Sequence, residues 1–274
     1  MSAAVARGAH RLWDQPPWIF DDPFALILVG PGWEAIAAAS RAAAREPVVR
    51  QGQAGVLVRS RYAEDRLAHG GHTQYVILGA GLDSFAWRHP HLRSSLTVFE
   101  VDHPATQAWK RERAASLGLP TTEGHIFAPI DFETQTLRDG LDAAGFDWAR
   151  PTLFSWVGTT MYLTTASIES TLRALATSRA GSEIVMSYNP APEFLDDIGR
   201  EFLGATSPRV AAMGEPLLTF FAPTEMEALL THCGLTVAEH PTSDDLSDRY
   251  CSGRTDGLRP YTTERLISAR RMPC

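Results

Sequence analysis

From about residue 75 onward, short unbroken runs of apolar and β-branched residues alternate with longer stretches whose apolar positions recur at helical spacing. The short runs lie at 75–79, 96–101, 125–129, 152–156, 183–187, 235–239 and 265–269. Unbroken apolar character over so few residues is what a strand covered on both faces shows. The intervening pattern predicts helices over 103–116, 134–144, 165–178 and 224–233. The last two open on Thr165 and Thr224, whose hydroxyls can cap first-turn amides. Regular alternation of this kind predicts an α/β fold, with seven strands in one sheet and crossover helices.

The first 73 residues read as helices, including 35–45 (AIAAASRAAAR) and 54–69, and form a cap on the domain. Residues 13–25 (WDQPPWIFDDPFA) carry three prolines and two adjacent acids, which predicts an ordered turn. A second insertion, 189–223, has PAP and SPR breaks that predict short helices over one end of the sheet. A chain of 274 residues suits one α/β domain: a cap (1–73), a first half (74–188) and a second half (189–274). Open α/β sheets bind ligands at the carboxyl ends of their strands, where strand order reverses, and both insertions are candidates to cover that end.

Charge narrows the partners. The formal net charge is −7 and Lys and Arg are scattered, which argues against a nucleic-acid partner. Cys233, Cys251 and Cys274 form neither a disulfide framework nor a zinc spacing, so reduced thiols, no metal and a cytoplasmic location are expected. The opening MSAAVARGAHRLW lacks the apolar core of a signal peptide, and no segment approaches the roughly 20 apolar residues that cross a bilayer. A soluble protein with no membrane partner is expected.

The chemistry concentrates around QYVILGAGLDSFAWR. Gly79 and Gly81 follow the first strand directly and Asp83 comes two positions later, the context in which a GxG turn lets a ligand approach the backbone. Ser84 stands where a dinucleotide fingerprint has its third glycine, and the following helix is cut short by His89–Pro90, so a pyrophosphate site is poorly specified. A glycine turn holding no ligand satisfies the same spacing. The second strand ends VFEVDHP, which places Glu100 and Asp102 about 20 residues further on, where a carboxylate can accept from ribose hydroxyls. PIDF at the third strand's end offers Asp131 to an adenine amine and Phe132 as its wall. Read alone, Asp131 is equally a helix cap and Phe132 a core residue.

LGAGLDSFAWR, FEVDHPATQAWKRE, PIDFE and FSWVGTTMYLT, in this order and spacing, resemble the leucine carboxyl methyltransferase-like branch of class I S-adenosylmethionine-dependent methyltransferases, which includes many actinobacterial small-molecule O-methyltransferases. The resemblance covers residues 20–271 and is most specific over 58–162. It implies a Rossmann-like fold: a seven-stranded, mostly parallel sheet with one antiparallel strand, helices on both faces and a helical N-terminal cap. It also implies S-adenosyl-L-methionine as cofactor. By this likeness Gly79 lines the cofactor, with Gly81 and Asp83 in the same loop. Asp102 binds the ribose, Asp131 and Phe132 hold the adenine, and Glu100 either shares the polar contacts or orients backbone. Arg59, with Arg61 as the alternative, pairs with the cofactor carboxylate, a task that suits a planar guanidinium. One departure stands out: Val157 occupies the place of an acid in such relatives, which removes one contact. Trp156 either offers an aromatic surface there or belongs to the core.

Methyl transfer from a sulfonium is a direct displacement, in which holding the reactants in line is the main task. A carboxylate acceptor needs no base; a hydroxyl acceptor needs one within hydrogen-bond reach. His103 reads as structural, and no catalytic residue is assigned. Tyr162 and Tyr188, after the fourth and fifth strands, either orient a substrate oxygen or pack. The expectation is an O-methyltransferase for a small natural-product intermediate, with a carboxyl acceptor preferred. A methyltransferase-fold enzyme catalysing cyclisation or elimination and a non-catalytic cofactor-binding scaffold are the alternatives, and the oligomeric state stays open.

Overall fold

A computed structural model describes residues 2–92, 94–120, 123–131, 134–212 and 214–272. All seven apolar runs are strands of one sheet: β1 (Gln74–Leu78), β2 (Thr97–Asp102), β3 (His125–Pro129), β4 (Thr152–Trp156), β5 (Glu183–Tyr188), β6 (Thr236–Glu239) and β7 (Arg265–Arg270). Their order is β3-β2-β1-β4-β5-β7-β6. Pairings from β3 to β5 are parallel, and β7 runs antiparallel to both β5 and β6. This is the expected mostly parallel sheet with one reversed strand. Every residue of β1, β4 and β5 is buried, which explains their unbroken apolar runs.

The helices are α1 (Ser2–Trp13), α2 (Ala25–Val29), α3 (Trp33–Ala43), α4 (Pro47–His69), α5 (Phe85–Arg88), α6 (Pro104–Ser116), α7 (Leu137–Ala143), α8 (Thr165–Leu175), α9 (Asp197–Ala212), α10 (Pro223–His232) and α11 (Ser243–Tyr250). One core, with Val76, Phe99, Phe154, Ile184 and Ile267, lies between the sheet and α8 and α10 through Ile168, Leu172, Met226 and Leu230. The other joins Tyr75, Ile77, Val98, Leu153, Val185 and Leu266 to Leu57, Val58 and Tyr62 of α4. The sheet is therefore covered on both faces.

Three local expectations are corrected. Thr165 and Thr224 do not cap: α8 is capped by Thr164, which accepts from Ser167 N, while Glu225 of α10 reaches back to the amide of Ala222. The predicted helix over 134–144 is shorter, starting at Leu137, with Thr136 Oγ1 accepting from Asp139 N at 3.1 Å. The SPR break does not divide its segment, because Pro208 lies inside α9. Cys233 and Cys251 are buried free thiols. Among the described residues no group of three or more His, Cys, Asp or Glu is arranged to hold a metal, and no helix is long and apolar enough to cross a membrane.

Candidate active site

Strand order reverses between β1 and β4, and the loops leaving these two strands face each other there. Gly79 opens the first loop with φ of 69°, and a Cβ at this position would lie 2.4 Å from Thr159 Cγ2 in the second. Only glycine fits a left-handed turn so closely approached. The amides of Gly79 and Ala80 both donate to the Val101 carbonyl, at 2.9 and 3.1 Å, which anchors the loop to β2.

Gly81 then donates its amide to Asp102 Oδ2 at 2.5 Å, while His103 N donates to Oδ1 at 2.7 Å. The carboxylate is thereby oriented at the tip of β2, and each of its oxygens retains further acceptor capacity. Asp131 follows Ile130, whose amide bonds the Asp102 carbonyl at 3.0 Å, so the two acids occupy neighbouring strand tips. The Asp131 carbonyl takes the amides of Thr134 and Gln135; the helix that follows is capped by Thr136. Phe132 lies outside the described residues.

Two other acids of this region turn inward. Glu100 is fully buried, with Oε2 held by Lys110 and Oε1 2.9 Å from His125 Nε2. Burial alone would raise its pKa, but Lys110 and His125 hold it below the usual value. Its carboxylate is occupied by these two side chains, an arrangement that is neither the ligand contact nor the backbone-orienting role expected from the sequence. Asp83 Oδ1 accepts from Phe85 N at 2.7 Å and starts α5. Burial raises its pKa against the pull of Arg88, Lys110 and Arg7.

Across the crevice, Gly158 has φ of 77° and its amide donates to Ser187 Oγ at 2.7 Å. A Cβ on Gly158 would lie 2.5 Å from Arg59 Nη2, so the guanidinium rests against this backbone. Arg59 Nη1 is 2.9 and 2.8 Å from the two carboxylate oxygens of Glu264. Burial opposes its charge, but Glu264 more than offsets this and raises its pKa. Arg61 is instead on the outer side of α4, with its side chain 47% exposed and paired with Asp65 at 2.7 Å. The structure thus brings Arg59, and not Arg61, to the crevice. Thr159 Oγ1 is buried there without a hydrogen-bond partner.

Of the acceptor-side candidates, only Tyr162 is near these groups. It is half-buried in a 3₁₀ turn, and burial with the charges of Glu215 and Glu264 raises its pKa, against the pull of Arg59. Tyr188 is 1% exposed and its hydroxyl meets His240 Nε2 at 2.8 Å. His240 Nδ1 lies 2.6 Å from Glu227 Oε1, so this phenol is engaged in a core network. Trp156 is buried in the same core cluster as Tyr188 and Met186. His103 accepts the amide of Ala105 and begins α6, the structural role its position predicts.

The family model for leucine carboxyl methyltransferase matches residues 1–176. The chain belongs to the leucine carboxyl methyltransferase family. Among its relatives is YktD of Bacillus subtilis, named as an S-adenosyl-L-methionine-dependent methyltransferase and 38% identical over 218 residues, which are 78% of this chain and 71% of the relative. A Mycolicibacterium paratuberculosis protein named in the same way is 30% identical over 224 residues, 77% of this chain and 69% of its own. Among solved structures, a DUF574 family protein from Streptomyces avermitilis has a TM-score of 0.60 at 17% identity, covering 100% of this chain and 97% of that one. A Thermobifida fusca protein named as a methyltransferase has a TM-score of 0.59 at 15% identity, covering 96% and 100%. These two likenesses are of fold.

The crevice of this leucine carboxyl methyltransferase family member includes residues that sequence reasoning did not single out: Gly158, Thr159 and Glu264. Gly158 and Thr159 stand inside the FSWVGTTMYLT motif, where a glycine after a strand end was an available signal. Glu264 pairs with a residue 205 positions away, and a lone acid before a strand carries no local sign of that. The polar groups gathered here are of the kind an amino-acid-bearing nucleoside would need. Glycine at 79 and 158 lets Thr159 and Arg59 come close against the backbone, and the loops bring together an unpartnered hydroxyl, an arginine and an oriented carboxylate.

Proposed function

We propose that this chain is an S-adenosylmethionine-dependent O-methyltransferase that acts on a small molecule at a carboxylate or hydroxyl oxygen, with a carboxylate preferred. The observation that carries this reading is the pair of opposed glycine loops at the strand-order reversal, with Asp102 at one end and Arg59 at the other. Family membership supports methyl transfer as the chemistry.

In this reading Asp102 holds the ribose hydroxyls and Asp131, with Phe132, the adenine. Arg59 meets the cofactor carboxylate with donors left over from its pairing with Glu264. When bound, S-adenosylmethionine supplies an electrophilic methyl group on a sulfonium. The protein's part is to fix the acceptor in line with that methyl and to keep water away. Tyr162, a phenol and so protonated at neutral pH, has its pKa raised further by burial and neighbouring carboxylates, and it serves as a donor to an acceptor oxygen. The carboxylate nearest Arg59 is already paired with it, while His103 is engaged at the start of α6 and His240 with Tyr188 and Glu227. Donors without a free base favour an acceptor that is ionised beforehand.

Incubating the enzyme with S-adenosylmethionine and a panel of small carboxylic acids and phenols, read by mass spectrometry, tests this reading. Gain of one methyl mass on an acid is the expected result. Methylation confined to phenols contradicts the carboxylate preference, and conversion of a binding-competent enzyme's substrate without mass gain contradicts methyl transfer.

A further inference from the structure

Two sequence features have no part in the site so far: the serine in place of a third glycine and the acidic pair in the proline-rich segment before α2. They meet in the fold. Ser84 Oγ donates to Asp22 Oδ1 at 2.7 Å, and Arg7 Nε donates to Asp22 Oδ2 at 2.8 Å. Arg7 Nη2 continues to the carbonyl of Leu82, the residue after Gly81, at 2.7 Å. The same Asp22 oxygen that holds Ser84 accepts the amide of Phe24 at 3.1 Å, and Ser84 Oγ in turn accepts from Arg88 Nε at 2.9 Å.

Asp22, Ser84 and Arg7 are all buried, at 1%, 0% and 8% exposure. Burial would raise the Asp22 pKa, but Arg7 and Arg88 hold it below the usual value, so the carboxylate is charged at neutral pH. Charge-assisted bonds in such a setting are strong and directional. A glycine at position 84 would give Asp22 no hydroxyl to accept from.

We infer that Asp22 is a positioning residue for the cofactor loop: together with Arg7 it clamps residues 82–84 from the cap side and so fixes the turn of Gly79 and Gly81. This rests on the reading that the loop holds S-adenosylmethionine. Docking of α1 and cofactor binding then stabilise each other, because linkage between two sites is reciprocal.

The test uses the full chain with Ser84→Ala and Asp22→Asn. Amide hydrogen exchange over residues 79–85 in the ligand-free protein reports the clamp, and calorimetry reports S-adenosylmethionine binding. Exchange of the loop is expected to rise in both variants and the affinity to fall about tenfold, the scale of one charged hydrogen bond. In the wild type, the cofactor is expected to slow exchange of α1, and Ser84→Ala is expected to remove that effect, which a merely structural role would not do. Unchanged loop exchange and wild-type affinity in Ser84→Ala overturn the inference. A wild type that binds no cofactor, while loop exchange still rises in the variants, overturns the cofactor reading and leaves the clamp standing. Should Asp22→Asn fail to fold, Ser84→Ala, which removes one oxygen, carries the test.

Discussion

The amide of Gly81 lies 2.5 Å from the carboxylate of Asp102, so the turn after β1 and the acid at the tip of β2 form one unit. The loop orients the acid, and the acid holds the loop. Asp102→Ala removes the proposed ribose acceptor and leaves the Gly81 amide unpaired. Cofactor affinity should fall by about 1.5–3 kcal/mol, the cost of a hydrogen bond to a charged group. Calorimetry on the folded variant reads this directly. Affinity equal to the wild type would move the ribose role away from Asp102.

Gly79→Ala is expected to damage both loops. Its φ of 69° is unfavourable for any residue with a Cβ, at about 1–2 kcal/mol, and that Cβ would meet Thr159 Cγ2 at 2.4 Å. Thermal melting should show the destabilisation, and titration should show cofactor binding lost or strongly weakened. A variant as stable and as tightly binding as the wild type would contradict the closeness of the two loops.

Arg59 and Arg61 give a paired comparison. Arg59→Lys loses the planar fork beside Gly158 and the geometry of its pairing with Glu264. It should raise KM for the cofactor more than it lowers kcat. Arg61→Lys alters an exposed pair one turn apart, worth about 0.5 kcal/mol or less, and should leave kinetics unchanged. The reverse ranking would show that the wrong arginine has been assigned.

Acid sensitivity follows from the inward-facing carboxylates. Asp22, Glu64 and Glu100 all have folded-state pKa values below their usual ones, because Arg7, Arg88, Lys110 and histidine neighbours outweigh burial. Unfolded, such groups titrate near about 4. Their stabilisation is complete above that point and is lost as pH falls through the lower folded values. Urea midpoints should therefore drop steadily below about pH 4. Lys110→Met should cost about 3–5 kcal/mol at neutral pH by leaving Glu100 short of a partner. A midpoint flat with pH would deny these ion pairs their role.

The sheet was legible because its central strands are covered on both faces and so read as apolar runs; QYVIL is buried at all five positions. Helix ends were less legible. Thr164 and Thr165 are equally good caps by composition, and only the backbone decides between them. Pro208 did not act as a breaker: it lies inside α9, which local composition alone does not foretell. Gly79, Asp102 and Asp131 stand at or just past strand ends, so the sequence alone could place them at the edge where strand order reverses. Arg59 and Arg61, two apart on one helix, point to different sides, which sequence spacing could not rank. Asp22 and Glu264 meet partners 62 and 205 residues away, and no local pattern records such pairings.

The central claim is that the crevice between Gly79 and Gly158 receives S-adenosylmethionine. Calorimetric titration of the full-length protein with S-adenosylmethionine tests it most directly. Saturable one-to-one binding, abolished or weakened by Asp102→Ala in a chain that still folds, is the predicted result. Absence of heat from well-folded wild-type protein, or a phosphate-bearing dinucleotide binding in its place, would contradict it.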